Sequence, residues 1–269
     1  MSNLSVVIFC GRSPRHVYVA NQLCRNTRTL AIVQEKAGEW TVNKIFKLIS
    51  KPRRLLQKGG RWLRDRKRYA GGKEAMCFFG SEAARLDRPD LLVEVPHINH
   101  ANTLALIDRL QPDIIAVFGT SLLRGPLLTK GQLGILNLHG GLSPEYRGAD
   151  CTFWALYNGE PDKVGCTLHY IDAGIDTGNL IAHVCPEVKA GDDELTLFWK
   201  AVKDSAEIYV ELIERLERGE RFGQTQPSKG HLYQVKDRQG HHEVELDKKM
   251  PKGLPEGIYY PPRVYWFKK

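Results

Sequence analysis

Hydrophobic residues along this chain follow two rhythms. Short apolar runs at 6–9, 30–33, 91–95 and 114–118 read as strands, the last buried on both faces. Positions from about 17 onward and 103–110 carry apolar residues at helical spacing. A polar turn (Gly11, Arg12, Ser13, Pro14, Arg15, His16) separates the first strand from the first helix. Strand, polar turn, helix and strand again is the opening of a doubly wound α/β domain. Further on, 136–139 continues the sheet, 151–157 reads as a helix, and 166–171 and 180–184 read as strands. The longest periodic segment is 192–218. There Leu195, Phe198, Trp199, Val202, Ala206, Val210, Ile213 and Leu216 form one stripe of an amphipathic helix.

Two stretches depart from this order. Between 35 and 90, Ile45, Leu48, Ile49, Leu55, Leu56, Trp62 and Leu63 fit one or two amphipathic helices broken at Pro52 and at Gly59-Gly60, an insertion lying across the sheet. After Gly219 the residues turn polar and rich in Gly and Pro, with Tyr233, Tyr259, Tyr260, Tyr265 and Trp266 interspersed. That tail reads as a short hairpin and loops draped over the core. The predicted fold class is therefore α/β, with a doubly wound, mostly parallel sheet. Residues 1–218 form the main domain, 35–90 its basic helical insertion, and 219–269 a C-terminal extension.

At 269 residues the chain can bury a core of that size. Its net charge of +8 is local. Lys44, Lys47, Lys51, Arg53, Arg54, Lys58, Arg61, Arg64, Arg66, Lys67, Arg68 and Lys73 are opposed only by Asp65. Such a run is either a solvated face or an attractor of polyanions: a nucleotide diphosphate, a polyglutamylated folate, RNA or an anionic membrane surface. The six cysteines (Cys10, Cys24, Cys77, Cys151, Cys166, Cys185) show no C-x-x-C pair and no metal-ligand spacing. They read as free thiols packed as small hydrophobes, so no metal is expected. The first strand begins without a leader and no apolar run nears the ~20 residues that span a bilayer. A cytoplasmic protein without membrane insertion is the expectation.

The chemistry concentrates between 137 and 178. Asn137 and His139 alternate on one strand and so leave the same face. The run Pro144, Glu145, Tyr146, Arg147, Gly148 follows, and Ile171, Asp172, Ala173, Gly174, Ile175, Asp176, Thr177, Gly178 closes the segment at an acidic turn. An amide, an imidazole and a carboxylate at one sheet mouth suit acyl transfer to an amine. The imidazole takes the amine proton, the amide donates to the oxyanion, and the carboxylate tunes the base.

In order and spacing, roughly residues 90–182 resemble the formyltransferases that use N10-formyltetrahydrofolate, whose pattern runs N-x-H, P-x-Y-R-G, D-x-G-x-D-T-G. The resemblance implies His139 as general base, Asn137 as the bond to the formyl oxygen and Asp176 as the group that polarises or orients the histidine. Asp172 is the competing carboxylate, otherwise a turn former. The resemblance also implies a folate pocket built from Gly119, Thr120, Ser121 and Leu122 on one loop and from Ile171, Asp172, Ala173 and Gly174 on the other. Leu123 stands where the commoner form has proline. Gly140 and Gly141 stand where many relatives have bulkier residues, either to make room for an acceptor or to serve a turn. Tyr146 and Arg147 are candidates to line the acceptor path, and Arg12 and Arg15 to hold an acceptor phosphate at a strand-to-helix junction.

Methionyl-tRNA formyltransferases look similar through this core but add a C-terminal β-barrel, for which the ~50 residues after Gly219 are too few. Relatives that hydrolyse formyltetrahydrofolate carry an N-terminal regulatory domain, whereas here the first strand starts at once. Phosphoribosylglycinamide formyltransferases resemble the chain less through Trp154, Ala155, Leu156, Tyr157, Asn158, Gly159 and Glu160. That run and the strand Leu168, His169, Tyr170, Ile171, Asp172 look most like sugar N-formyltransferases, which act on nucleotide-linked amino sugars for surface polysaccharide. The resemblance thus implies small-molecule partners, N10-formyltetrahydrofolate as donor and no nucleic acid. It leaves the oligomeric state open, with a homodimer as the expectation. The competing readings are formylation of a hydroxylated ornithine or of methionyl-tRNA, and an idle RNA-binding relative.

Overall fold

A computed structural model describes residues 2–36 and 52–269, the side chains at 52–58 and 61 excepted. Lys44, Lys47, Lys51, Arg53, Arg54, Lys58 and Arg61 of the basic run, and Ile45, Leu48, Ile49, Leu55 and Leu56 of its apolar stripe, lie outside this description. The chain alternates β1 (Ser2–Cys10), α1 (Pro14–Asn26), β2 (Thr27–Glu35), α2 (Pro52–Arg68), α3 (Lys73–Phe79), β3 (Leu92–Val95), α4 (Ala101–Leu110), β4 (Ile114–Phe118) and β5 (Gly134–His139). It continues with β6 (Tyr146–Gly148), α5 (Cys151–Tyr157), β7 (Cys166–Tyr170), β8 (Leu180–Cys185), β9 (Val188–Lys189) and the long α6 (Glu194–Glu217). β10 (His231–Tyr233), α7 (Gly240–Lys249), β11 (Tyr259–Tyr260) and β12 (Arg263–Trp266) complete it.

The main sheet has eight strands in the order β12-β8-β7-β5-β4-β1-β2-β3. From β3 to β5 every pairing is parallel, and from β5 to β12 every pairing is antiparallel. Alternation along β1 builds the layers. Val6, Ile8 and Cys10 pack beneath α1 and α6 against Val19, Leu23, Val202 and Tyr209, while Val7 and Phe9 face Ile107 and Leu127 on the other side. Each such burial contributes about 1.5–3 kcal/mol. Asp193 caps α6, accepting from the Thr196 N–H at 2.7 Å. The buried Tyr209 hydroxyl donates to the Leu136 carbonyl (2.6 Å) and accepts from the Val117 N–H (3.1 Å). It ties α6 to the two strands whose ends carry the site.

Three expectations are corrected. α2 runs unbroken through Gly59 and Gly60. Two glycines cost a helix about 2 kcal/mol, and ion pairs of Arg64 with Glu243 (3.1 Å) and Arg68 with Glu194 (2.6 Å) oppose that cost. Those contacts carry α2 to α7 and the start of α6 rather than across the sheet. The tail is no hairpin: β10 joins β6 in parallel, β11 joins β9, α7 packs Leu246 with Leu254, and β12 extends the main sheet at its β8 edge. Short strands of this kind need distant partners, so nothing in their local sequence declares them.

Candidate active site

β5 ends at the mouth of a cleft of about 1470 Å³. Leu136 and Leu138 are buried beneath the strand, which turns Asn137 and His139 to the opposite face. The antiparallel register sets Asn137 opposite His169 and His139 opposite Thr167. β7 thereby brings a second imidazole beside the first. The loop after β7 is pinned at both ends. Tyr170 N–H donates to the Asn179 carbonyl, and the Gln226 amide donates to the carbonyls of Asp176 (2.8 Å) and Gly178 (2.9 Å). At Gly178 a side chain would collide with the Tyr170 carbonyl, so only glycine closes this loop. Asp176 adopts φ +52°, a left-handed conformation that aspartate tolerates better than most residues, and it carries its carboxylate back to β5.

The result is one carboxylate between two imidazoles. Asp176 Oδ2 lies 3.3 Å from His139 Nδ1 and accepts the Gly148 N–H at 3.0 Å, and Oδ1 lies 3.4 Å from His169 Nε2. The other ring nitrogens face backbone carbonyls: His139 Nε2 to Tyr146 O at 2.9 Å and His169 Nδ1 to Tyr170 O at 2.7 Å. A carbonyl only accepts, so both of those nitrogens carry hydrogen. In each neutral ring the remaining nitrogen is then the basic one, and it points at the carboxylate. A proton reaching either ring is held between imidazole and Asp176. Burial by itself would raise the Asp176 carboxyl. The charge of a protonated His139 above all, then His169 and the Gly148 N–H, overcomes that and holds it well below the usual carboxylate range. Asn137 Nδ2 lies 3.1 Å from His169 Nε2, and its second N–H remains for another acceptor. Cys151 Sγ, 3.6 Å from His139 Nε2, stays a thiol because burial raises it well above its ordinary value.

The structure brings Asn137, His139 and Asp176 together as the motif spacing requires, and adds His169. His169 lies on a strand visible in the sequence, but nothing in its local pattern gives it a role. Its signal was alternation along a strand whose pairing with β5 only the fold reveals. Gly119, Thr120, Ser121, Leu122, Ile171, Asp172 and Gly174 all line the cleft, whereas Ala173 does not. Gly119 takes φ +77°. Asp172 accepts from Gly174 N–H (3.0 Å) and the Thr177 hydroxyl (2.6 Å), the pattern of a turn former. Glu35, another residue without a sequence signal, braces the first loop by accepting the Ser121 and Ile98 N–H groups.

The acceptor candidates divide differently. Arg12 pairs with Glu94 and the Glu35 carbonyl, Arg15 pairs with Glu74 at 2.7 Å, and neither lines the cleft. Tyr146 directs its hydroxyl to Glu160 and Asn158 while its carbonyl serves His139. Arg147 is buried outside the cleft, and among the described residues its Nε has no hydrogen-bond partner. A side chain on Gly140 would meet Phe198 and one on Gly141 would meet Cys151, so close packing requires both glycines, and Gly140 also lines the cleft. Instead, a third wall comes from the tail and α2: Gly60, Arg64, Leu232, Tyr233, Gln234, Val235, Lys236, Arg238, Gln239, Gly240 and Glu243. The six cysteines are free, and among the described residues no group of three or more potential ligands gathers for a metal and no helix is long and apolar enough to cross a membrane.

Residues 93–213 match the family described as Formyl transferase. A methionyl-tRNA formyltransferase of Paraburkholderia phytofirmans is 33% identical over 157 residues, covering 56% of this chain and 47% of the relative. The chain spans about half the length of the curated relatives it matches. Among solved structures, glycinamide ribonucleotide transformylase 1 from Symbiobacterium toebii aligns with a TM-score of 0.53 at 22% identity, over 81% of this chain and 89% of that one. A sugar N-formyltransferase from a Shewanella species aligns with a TM-score of 0.57 at 14% identity, over 99% and 97%. At such identities the two structures establish the fold: this is the α/β architecture of the formyltransferases, built on a largely parallel sheet.

Proposed function

We propose that this chain, with a formyl transferase domain matched over residues 93–213, moves a formyl group from N10-formyltetrahydrofolate to a primary amine, the amino group of a nucleotide-linked amino sugar being the favoured acceptor. The observation that carries the reading is the convergence of Asn137, His139, His169 and Asp176 at one end of a cleft with two further walls. The folate-pocket residues fit a flat, partly apolar ring. Phe118, Leu122, Leu123, Ile171 and Ile175 line that side, and Leu122 is 45% exposed, an apolar surface waiting for cover. At about 1470 Å³ the cleft also exceeds the ~1,000 Å³ upper range of a one-ligand pocket.

The donor supplies an electrophilic formyl carbon, and this chain supplies the rest. As the amine nitrogen bonds to that carbon, the carbonyl pair moves onto oxygen, where the free Asn137 N–H stabilises it by about 3 kcal/mol. The ammonium proton passes to the Asp176–His139 pair. Because Asp176 is held ionised, the proton comes to rest on the imidazole. Collapse breaks the bond from the formyl carbon to N10, and the same pair can return the proton to the departing nitrogen. His169, with Nδ1 committed to the Tyr170 carbonyl, accepts the Asn137 amide through Nε2 and so orients it.

The test is release of tetrahydrofolate with nucleotide-linked amino sugars, methionyl-tRNA and hydroxyornithine side by side. Turnover with a nucleotide sugar is expected. Turnover only with another amine keeps the chemistry and removes the favoured acceptor, and no release with any amine refutes formyl transfer.

A further inference from the structure

The reacting groups occupy one end of the cleft and the folate-pocket loops line one side, which leaves the wall formed by β10, the turn after it, the start of α7 and α2. This wall is tied directly to the chemistry. Tyr233 pairs with Gly148, whose N–H holds Asp176, and the Ala149 N–H donates to the Tyr233 carbonyl at 2.9 Å. Tyr233 is stacked by Trp154 at 4.8 Å and by Tyr146 at 5.7 Å, so the strand entering the wall is rigid.

The charges on the wall are committed with one exception. Arg238 is fully buried and donates to Glu243, Glu194 (2.8 and 2.9 Å) and Asp150 (3.2 Å), with its guanidinium 3.7 Å over the Phe153 ring. Arg64 is held by Glu243 (3.1 Å) and Asp65 (3.0 Å). These groups balance one another and fasten α2, α5, α6 and α7 together. Lys236 is different: it lines the cleft, is exposed, and among the described residues meets no carboxylate, hydrogen-bond acceptor or ring. It stands three residues beyond Tyr233, a span of at most about 10 Å of chain. The Gln234 N–H donates to Asp237 (2.7 Å), which turns the segment between them.

We propose that this wall recognises the acceptor, and that Lys236 binds an anionic phosphate or diphosphate carried by the acceptor at a distance from its amine. The inference rests on the formyl-transfer reading and narrows its substrate class. An exposed ammonium on a cleft wall serves phosphate as a point charge and needs no fixed fork geometry. The volume beyond the folate loops suits a nucleotide-sized acceptor better than a free amino acid, which would leave most of it to water.

The experiment has two arms, both with the full chain. In the first, steady-state tetrahydrofolate release is measured for wild type, Lys236→Glu and Lys236→Arg with an acceptor that turns over. Lys236→Glu should raise the acceptor KM about tenfold or more without a matching fall in kcat and without moving the donor KM, and Lys236→Arg should restore most of it. An unchanged acceptor KM, or a shift in donor KM instead, overturns the proposal. In the second arm, uridine diphosphate is titrated calorimetrically into wild type and Lys236→Glu without any turnover. Binding to wild type that weakens at least about tenfold in the variant supports the anion site. No binding to wild type, or equal binding to both, overturns it. Failure of tetrahydrofolate release with every amine would refute formyl transfer alone, because the second arm still reads the anion site.

Discussion

Replacing Asp176 by Asn removes one charge and little else. Asparagine matches aspartate in size and tolerates the left-handed backbone at φ +52°. Its carbonyl oxygen can keep the Gly148 N–H bond now 3.0 Å long, so stability above pH 5 should change by no more than about 1–2 kcal/mol. The catalytic effect is much larger. The His139 imidazolium formed during reaction would lie 3.3 Å from a neutral amide in place of a carboxylate. At an effective dielectric of about 20, a unit charge at that distance contributes roughly 5 kcal/mol. Part of this is offset by water and side-chain adjustment, so kcat should fall about 10³–10⁴-fold, within the range of general acid–base catalysis. Single-turnover release of tetrahydrofolate at saturating donor and acceptor gives the number, and urea unfolding controls for the fold. A fall of less than about tenfold, with folding intact, would refute the role of the Asp176 carboxylate as the charge that holds the proton on imidazole.

Two other outcomes follow from buried groups. His16 lies between Gly11 and Gly119 with no partner for Nδ1 among the described residues, and burial first, then Arg15, lowers its pKa from 6.5 to about 3. The fold therefore favours neutral His16. The stability it contributes is complete above pH 6.5 and is lost as pH falls toward 3. Between pH 6.5 and 4.5 the wild type should lose about 2–3 kcal/mol that His16→Gln does not, and parallel urea-unfolding profiles for the two would contradict this. Arg238→Met strips the cation from Asp150, Glu194 and Glu243 and should destabilise the fold by about 3–5 kcal/mol, read from the urea midpoint. A cost below about 1 kcal/mol would mean the cluster closes up or takes in water without it.

Local pattern settled much of this protein. The apolar runs of β1 and β4 and the stripe of α6 are visible because burial on both faces, or on one helical face, leaves a short-range period in the sequence. Asn137 and His139 were readable for the same reason, since two-residue alternation fixes a shared strand face. The glycines and the Asp172 turn marked the loop that returns Asp176. What escaped was whatever depends on a partner far along the chain. His169 became part of the site only when β7 paired antiparallel with β5, a register set by a whole strand and not by its own neighbours. Arg12 and Arg15 sit at a junction suited to anions, yet Glu94 and Glu74, more than fifty residues away, claim them. The tail looked like loops because β10, β11 and β12 are two to four residues long and gain their hydrogen bonds from β6, β9 and β8. Sequence alone determined which groups are candidates for the chemistry and which face of β5 presents them. Tertiary structure decided which carboxylate and second imidazole they meet, and which wall closes the cleft, because ion pairing and strand register are settled by distance in space, to which neighbouring residues bear no witness.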